Sequence, residues 1–299
     1  MSQVSNPTPE NFTSIAVEGG NVLQGTIDVE NRLAPDASFG TVLRIEGGNL
    51  ADILAPGANE NIVLFGFAGD DSVTGSSGND ETYGNAGNDT LLALEGNDVM
   101  YGGQGNDLLY GGAGNDSMGG DKGNDILVGG SGDDTIRGNE GDDTLQGGEG
   151  NDVLFGEADN DFMQGGDGAD TLYGGQGSDT LQGGAGSDFI TGDKGNDVLV
   201  GGTQADVFAF TQIGTDNADT VQDFNSGDDQ IGLSTTVFGD LGTSVTADEF
   251  TTFNSGNGDS VPGSNLAYDI GTGELYYNGE LVATFTGTPG VNVSDFELF

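Results

Sequence analysis

An aspartate stands at every ninth residue along the middle of the chain: Asp71, Asp80, Asp89, Asp98, Asp107, Asp116, Asp125, Asp134, Asp143, Asp152, Asp161, Asp170, Asp179, Asp188 and Asp197. A carboxylate repeated at fixed spacing can hold a hard cation, or it can work in pairs as acid and base. The chain has no His and no Cys, which excludes a Ser-His-Asp triad, a Cys-His pair, an H-E-x-x-H zinc site and a disulfide framework. Paired-carboxylate chemistry on sugars remains open by residue type, but the repeat accounts for the in-phase aspartates and there is no Trp to form a sugar platform. No catalytic residue is assigned and no enzyme activity is expected. A lone aspartate in a Gly-Asn-Asp turn is ordinary turn chemistry. Fifteen in phase, in a chain with 50 acidic against 5 basic residues and a formal net charge of −45, point to a bound metal.

The elements that must position these carboxylates follow from the rest of the unit. From Gly69 to Thr203 the chain divides into fifteen nonapeptides, G-N-D-x-U-x-G-G-x with U apolar, without insertion or deletion. The first position departs from Gly at Asp159, the fifth from an aliphatic side chain at Thr82, and the seventh from Gly at Ala93. A period of nine matches no helical heptad and suits a short strand followed by a tight turn. The x-U-x triplet predicts a minimal strand with U on one face. Glycine serves where φ is positive or backbones approach closely, and Asn and Asp bond local backbone. Two units make one coil of eighteen residues, and coils stacked as parallel strands at ~4.8 Å give a span of roughly 36 Å. Leu109, Leu127, Leu145, Leu154, Leu172, Leu181 and Leu199 then meet in a thin core.

One apolar side chain per nine residues offsets only part of the entropy lost by ordering nine backbones. Stacking also places Asp107 one coil from Asp125, and two bare carboxylates at ~5 Å repel by roughly 1 kcal/mol even in water. Calcium answers both difficulties, because it takes six to eight oxygens from carboxylates and backbone carbonyls in flexible geometry. Magnesium demands stricter octahedral geometry and gives up water reluctantly.

GGQGNDLLYGGAGND, residues 102–116, shows the pattern twice. It resembles the calcium-binding nonapeptide of the RTX (repeats-in-toxin) family, and the likeness covers Gly69–Thr203. The resemblance implies an all-β fold, a parallel β-roll (a right-handed β-solenoid), with multiple Ca2+ ions held between turns one coil apart. Carried onto this chain, the carbonyls of Gly103 and Gly105 with Asp107 face one ion, and those of Gly102 and Gln104 with Asp107 face the next. In the same phase stand Gly111, Gly112, Ala113 and Gly114 before Asp116, and Gly129, Gly130, Ser131 and Gly132 before Asp134. Gly147, Gly148, Glu149 and Gly150 precede Asp152. Ala93 ahead of Asp98, Asp159 ahead of Asp161 and the GFAGDD turn before Asp71 depart from the pattern, so weak or distorted sites are expected there.

The expected organisation is an N-terminal β cap over residues 1–66, the roll over 67–212 and a C-terminal β region over 213–299. VLRIEGG, ADILAPG and NIVLFGF read as strands ending in turns, with Leu64 in phase with U, either an atypical first coil or a separate small β domain. The first dozen residues are expected to be mobile. VFAF at 207–210 continues the strand phase. ADTVQDFNSGDDQIGLS is similar to the segment that follows the repeats in serralysin-like RTX proteins, where acidic turns complete the roll. LAYDIGTGELYYNGELVATFTG alternates around GTG and NG and reads as hairpins. Thr246-Ala-Asp-Glu249 has the form of a cap on one helical turn. VNVSDFELF reads either as a final edge strand or, by resemblance, as an uncleaved type I secretion signal.

The N-terminus has no basic start and no apolar run, so no N-terminal signal peptide is expected. With the repeats, the resemblance implies a protein secreted by type I machinery from a Gram-negative-type bacterium, at the cell surface or outside it. Five basic residues against fifty acidic exclude nucleic acid and an anionic membrane surface as partners. No segment is long and apolar enough for membrane insertion. Two functions fit: a secreted structural calcium protein of a surface coat, filament or matrix that self-assembles as a homo-oligomer, or a module that recognises extracellular polysaccharide or a protein partner. Outward ladders of Tyr83, Tyr101, Phe155 and Tyr173, broken by Gly119 and Arg137, either stabilise the strands or form a contact surface. On the opposite face lie Leu92, Tyr110 and Val128 beside Leu108 and Ile126.

Overall fold

The structure is a computed structural model, and it describes residues 43–46, 53–54, 61–241, 244–257 and 266–299. The expectation for the first dozen residues lies outside this range. Among the described residues the fold is an all-β parallel solenoid of about eleven turns: a 12-stranded sheet facing a 14-stranded one, successive strands alternating between them from Leu43–Glu46 to Gln230–Leu233. The pairing offset within the repeats is one coil. Val99–Gln104 pairs in parallel with Ser117–Lys122 in the first sheet, Met100 opposite Met118. Leu108–Ala113 pairs with Ile126–Ser131 in the second, Leu109 opposite Leu127.

The fifth position points inward in every unit. Leu109, Leu127, Leu145, Leu154, Leu172, Leu181 and Leu199 are wholly buried between the sheets, as are Met100, Ile136 and Met163. Thr82, the exception, is buried too, and its Oγ1 finds no hydrogen-bond donor or acceptor there. Only Ser72–Thr74 keeps the expected triplet, and from Glu81–Ala86 to Val198–Thr203 each repeat strand is longer. It runs six residues, through the seventh, eighth and ninth positions, because the ladder resumes beyond the seventh residue: Gly103 pairs with Asp121 and Gln104 with Lys122. The turn proper shrinks to the G-N-D of the next unit.

Both ends prolong the roll. Leu43–Glu46 lies parallel to Ile62–Ala68, and Ile53–Leu54 lies parallel to Ser72–Thr74. At the other end Val207–Phe210 and Gln230–Leu233 continue the first sheet, and Asp219–Val221 continues the second. The GTG and NG turns do make hairpins, an antiparallel meander of Leu266–Asp269, Glu274–Tyr277 and Glu280–Phe285. Its last strand lies parallel on Asp219–Val221, and the chain closes with Phe296–Leu298 parallel on Gln230–Leu233. Thr246–Glu249 forms no helix. The Glu249 carboxylate accepts from the Thr246 backbone N–H at 2.9 Å and hydroxyl at 2.7 Å, but the next residue begins a strand, Phe250–Phe253, paired with Leu266–Asp269. Sheet pairing ends the turn after one cycle.

Candidate metal centre

Each repeat aspartate follows the first and second residues of its unit and is fixed by backbone. The N–H of Asp107 donates to Oδ1 of Asp125 at 2.7 Å, and that of Asp116 donates to Oδ1 of Asp134 at 2.7 Å. The same bond recurs from Asp71 N–H to Asp89 through Asp188 N–H to Asp206. A second ladder at the neighbouring residue runs the other way, Asn106 N–H donating to Oδ1 of Asn88 at 2.8 Å. Turns are thus tied to the coil before and the coil after. These side chains are nearly inaccessible: Asp107 is 3 % exposed and Asp143 2 %.

With Oδ1 engaged, Oδ2 is left over. From Asp89 to Asp197, every repeat aspartate keeps Oδ2 buried with no hydrogen-bond donor. An ionised oxygen in that state is costly without a cation. The space beside it is shaped by the glycine at the seventh position. A Cβ added to Gly174 would stand 2.5 Å from Asp179 Oδ2 and 2.7 Å from the Gly192 carbonyl oxygen. The hollow is therefore walled by a carboxylate oxygen and a carbonyl from the next coil, and it exists because residue 174 has no side chain. Gly102, Gly111, Gly129 and Gly147 hold the same relation to Asp107, Asp116, Asp134 and Asp152.

Two further carbonyls join each turn. The eighth and first positions are left-handed, with φ of 111° at Gly103 and 128° at Gly105. Gly112, Gly114, Gly130, Gly132, Gly148 and Gly150 repeat this. Over Gly103 and Gly105 lie the carbonyl oxygens of Asn85 and Gly87, one coil back. The ninth-position carbonyls are engaged elsewhere: Gln104 accepts from Gly87 N–H, Ala113 from Gly96, Ser131 from Gly114 and Glu149 from Gly132, at 2.7–2.8 Å. Among the described residues no three acidic side chains converge on one point, so any ion here draws most of its oxygens from backbone carbonyls. That donor set, hard oxygens with one carboxylate per turn, fits calcium.

The carboxyls register the same need. Burial, offset in part by the backbone N–H of Asp89 and reinforced by repulsion from Asp125 and Asp89, pushes Asp107 up to about 7. Asp143 rises to about 7 and Asp161 to about 8 for the same reason, desolvation with neighbouring carboxylates.

The departures behave differently from one another. Before Asp71, Phe67 takes the left-handed conformation at φ 81°, and a Cβ on Gly66 would still meet Asp71 Oδ2 at 2.5 Å, so the turn keeps its form. Asp159 likewise adopts φ 72°. Ala93 stands between Leu92, opposite Tyr110, and Leu94, opposite Gly112, and is fully buried, which puts a methyl where its glycine counterparts leave a hollow. Asp80, which reads as regular in sequence, is not. Its Oδ2 accepts from the Ser76 N–H at 2.6 Å, because Ser76 stands at the eighth position without the left-handed φ.

Three aspartates of the column go beyond the expected fifteen. Asp206, Asp219 and Asp229 are buried, and Asp197 N–H donates to Asp219 and Asp206 N–H to Asp229, both at 3.1 Å. Asp206 is nine residues after Asp197 and was legible as a sixteenth unit. Asp219 and Asp229 follow loops that destroy the period. Asp223 caps the sheet by accepting from Gly201 and Gly202 N–H at 2.9 and 2.8 Å.

The profile of the RTX calcium-binding nonapeptide repeat (4 copies) matches residues 63–82, 83–118, 119–154, 137–172, 146–181 and 173–208, a continuous span. No curated protein matches the chain. Among solved structures it is similar to the solution structure of a subunit of the mannuronan C5-epimerase of Azotobacter vinelandii, at 21% identity over 47% of this chain and 79% of that one, with a TM-score of 0.31. The aspartate column and glycine hollows of residues 63–208 are thus those of the RTX calcium-binding nonapeptide repeat, which this chain carries folded as a parallel β-roll.

Proposed function

We propose that this chain is a secreted calcium protein whose roll folds as the turns take up Ca2+, and that it serves as a structural component of a cell surface, filament or matrix. The observation that carries the reading is the column of buried Oδ2 atoms from Asp89 to Asp197 with no hydrogen-bond donor. Those of Asp89, Asp107, Asp116, Asp134, Asp152 and Asp179 each face a hollow also walled by a carbonyl of the next coil. Asp107 contributes Oδ2, which faces the Gly120 carbonyl of the next coil, and the carbonyls of Gly102, Gly103 and Gly105 are the turn's own donors by the resemblance. The turns built on Gly111–Gly114, Gly129–Gly132 and Gly147–Gly150 do the same with Asp116, Asp134 and Asp152. Bound calcium supplies the positive charge that a chain of net charge −45 lacks. The chain's own part is to hold the oxygens in register and shut out water.

Binding free energy is then folding free energy. Affinities around 10⁻⁴–10⁻³ M, typical of extracellular modules, keep such a chain unfolded inside a cell and folded outside it. The repeats support export by type I machinery from a Gram-negative-type bacterium, with residues 1–66 read as an N-terminal β cap, 67–212 as the roll and 213–299 as a C-terminal β region that carries the secretion signal. No catalytic role is proposed.

Circular dichroism during calcium titration of the chelated chain tests the reading. A coil-like spectrum that becomes β-rich as calcium is added is the expected result. Full β content after exhaustive chelation would overturn it. Sedimentation of the loaded chain tests the structural role, for which calcium-dependent assembly is expected.

A further inference from the structure

The outer face of the second sheet differs from that of the first in charge and in relief. Its repeat strands run from Thr90–Glu95 to Val198–Thr203 and turn the fourth and sixth residues of each unit outward. None of those residues is charged. The sixth column runs Leu92, Tyr110, Val128, then Gln146, Gln164 and Gln182, with Gln164 donating to Gln182 at 2.9 Å. Leu94, Tyr110 and Ile126 are 48, 39 and 46 % exposed, and contiguous exposed apolar side chains mark a contact surface. The carboxylates of these strands, Glu95, Glu149 and Asp167, all stand at the ninth position, at the strand ends. The eighth position is glycine from Gly112 to Gly202, so a strip without side chains runs beside the sixth column. On the first sheet Glu81 and Arg137 stand at outward positions, and the eighth column carries Asn85, Asp121, Asn139 and Glu157.

The second-sheet face is complementary to itself. A two-fold axis along the roll, through the sixth column, sets two such sheets face to face with each coil against the same coil of the other copy. Tyr110 then meets Tyr110, and Gln146 meets Gln146, an amide having both donors and an acceptor to offer its twin. The same rotation lays the fourth-position side chains Leu108, Ile126 and Phe162 over the glycine strip of the other copy and leaves the ninth-position carboxylates at the rim. On the first sheet the operation sets Arg137 against Arg137 and finds the strip filled by side chains, and like charges in contact are costly. The area is sufficient. Strands of six residues at ~3.3 Å per residue, seven of them ~4.8 Å apart, make a face of about 700 Å² per copy. Two copies bury about 1,400 Å² together, within the ~1,200–2,000 Å² of stable specific interfaces.

We propose that two copies of this chain dimerise through the outer faces of their second sheets, the rolls side by side and pointing the same way. This rests on the reading of a calcium protein that assembles once folded, and it names the surface: the face exists only when the coils are stacked.

The test uses the full calcium-loaded chain, its β spectrum confirmed first. Sedimentation velocity is expected to show a dimer of the 30.2 kDa chain. Tyr110 and Tyr101 are matched probes, both at the sixth position and both 39 % exposed, on opposite sheets. Tyr110→Lys brings two lysines together on the axis and is expected to weaken the dimer by roughly a hundredfold or more with the spectrum unchanged. Tyr101→Lys is expected to leave the dimer intact. Mixing Tyr110→Lys with Tyr110→Glu is expected to restore a dimer, which a substitution that only loosened the roll would not do. The proposal falls if the folded parent sediments as a monomer, its face then left to residues 1–42 of the same chain or to a different molecule. It falls also if Tyr110→Lys dimerises like the parent, or if Tyr101→Lys alone dissociates; in both cases assembly in calcium survives and only its surface is lost. A chain that stays unfolded in calcium overturns this proposal together with the reading beneath it.

Discussion

At the scale of the residue, the decisive atom is one carboxylate oxygen and the decisive absence is one methyl group. Asp179 Oδ1 is held by the Asp161 N–H at 2.8 Å, so Oδ2 alone is left for a ligand, and it opens on Gly174 because that residue has no Cβ. Ala93 has one. Gly174→Ala is therefore expected to lower the calcium stoichiometry by one, and Ala93→Gly to raise it by one, read by calorimetry or native mass spectrometry on the folded chain. Unchanged stoichiometry in both variants would remove the hollow from the metal site. Asp80 marks a different failure, since its Oδ2 is turned onto the Ser76 N–H. Serine in place of a left-handed glycine costs more here than the pattern alone conveys.

At the scale of the element, coils communicate through the aspartate column, and that column titrates. In the ion-free roll, burial and neighbouring carboxylates raise Asp107, Asp134 and Asp152 to about 7 and Asp161 to about 8, against an ordinary value near 4 in the unfolded chain. The folded state thus binds protons more tightly than the unfolded one. The contribution is complete below the unfolded value and is lost as pH rises through about 6–8. A chelated chain is accordingly expected to show more β signal at pH 5 than at pH 8. In calcium the order reverses, because protons compete for the same oxygens, and more calcium is needed for half-folding at pH 5 than at pH 8. Circular dichroism at both values checks the pair, and a chelated chain insensitive to pH would contradict it.

For the whole molecule the question is how a repeating stack stops. Stability in such stacks is close to a sum over neighbouring units, so an open end is where unravelling starts. Here the leucine core gives way to a wider aromatic one. Phe285 is fully buried, with ring contacts to Phe210, Phe224 and Tyr268, under the last coil of the second sheet. Phe285→Ala is expected to destabilise the cap by ~3–5 kcal/mol. The calcium midpoint for folding should then rise while the stoichiometry of the fully loaded roll is unchanged. A variant that folds at the parent's calcium concentration would show that the cap contributes nothing to closure.

Much of this was legible in the sequence because the repeat has no insertions. One unit fixes the phase of all fifteen, so Leu109 and Leu127 meeting in the core, and Asp107 stacking beneath Asp125, follow from counting. The counting also reaches Asp206. It does not reach Asp219 and Asp229, which join the column across loops of irregular length, because only the folded coils bring them into line. Nor does it show that one oxygen of each aspartate is consumed by a neighbouring N–H, or that Ser76 captures Asp80. Periodicity determines which residues stack. Which atoms of those residues remain free is decided by backbone dihedrals and by contacts between coils, and these exist only in the assembled roll.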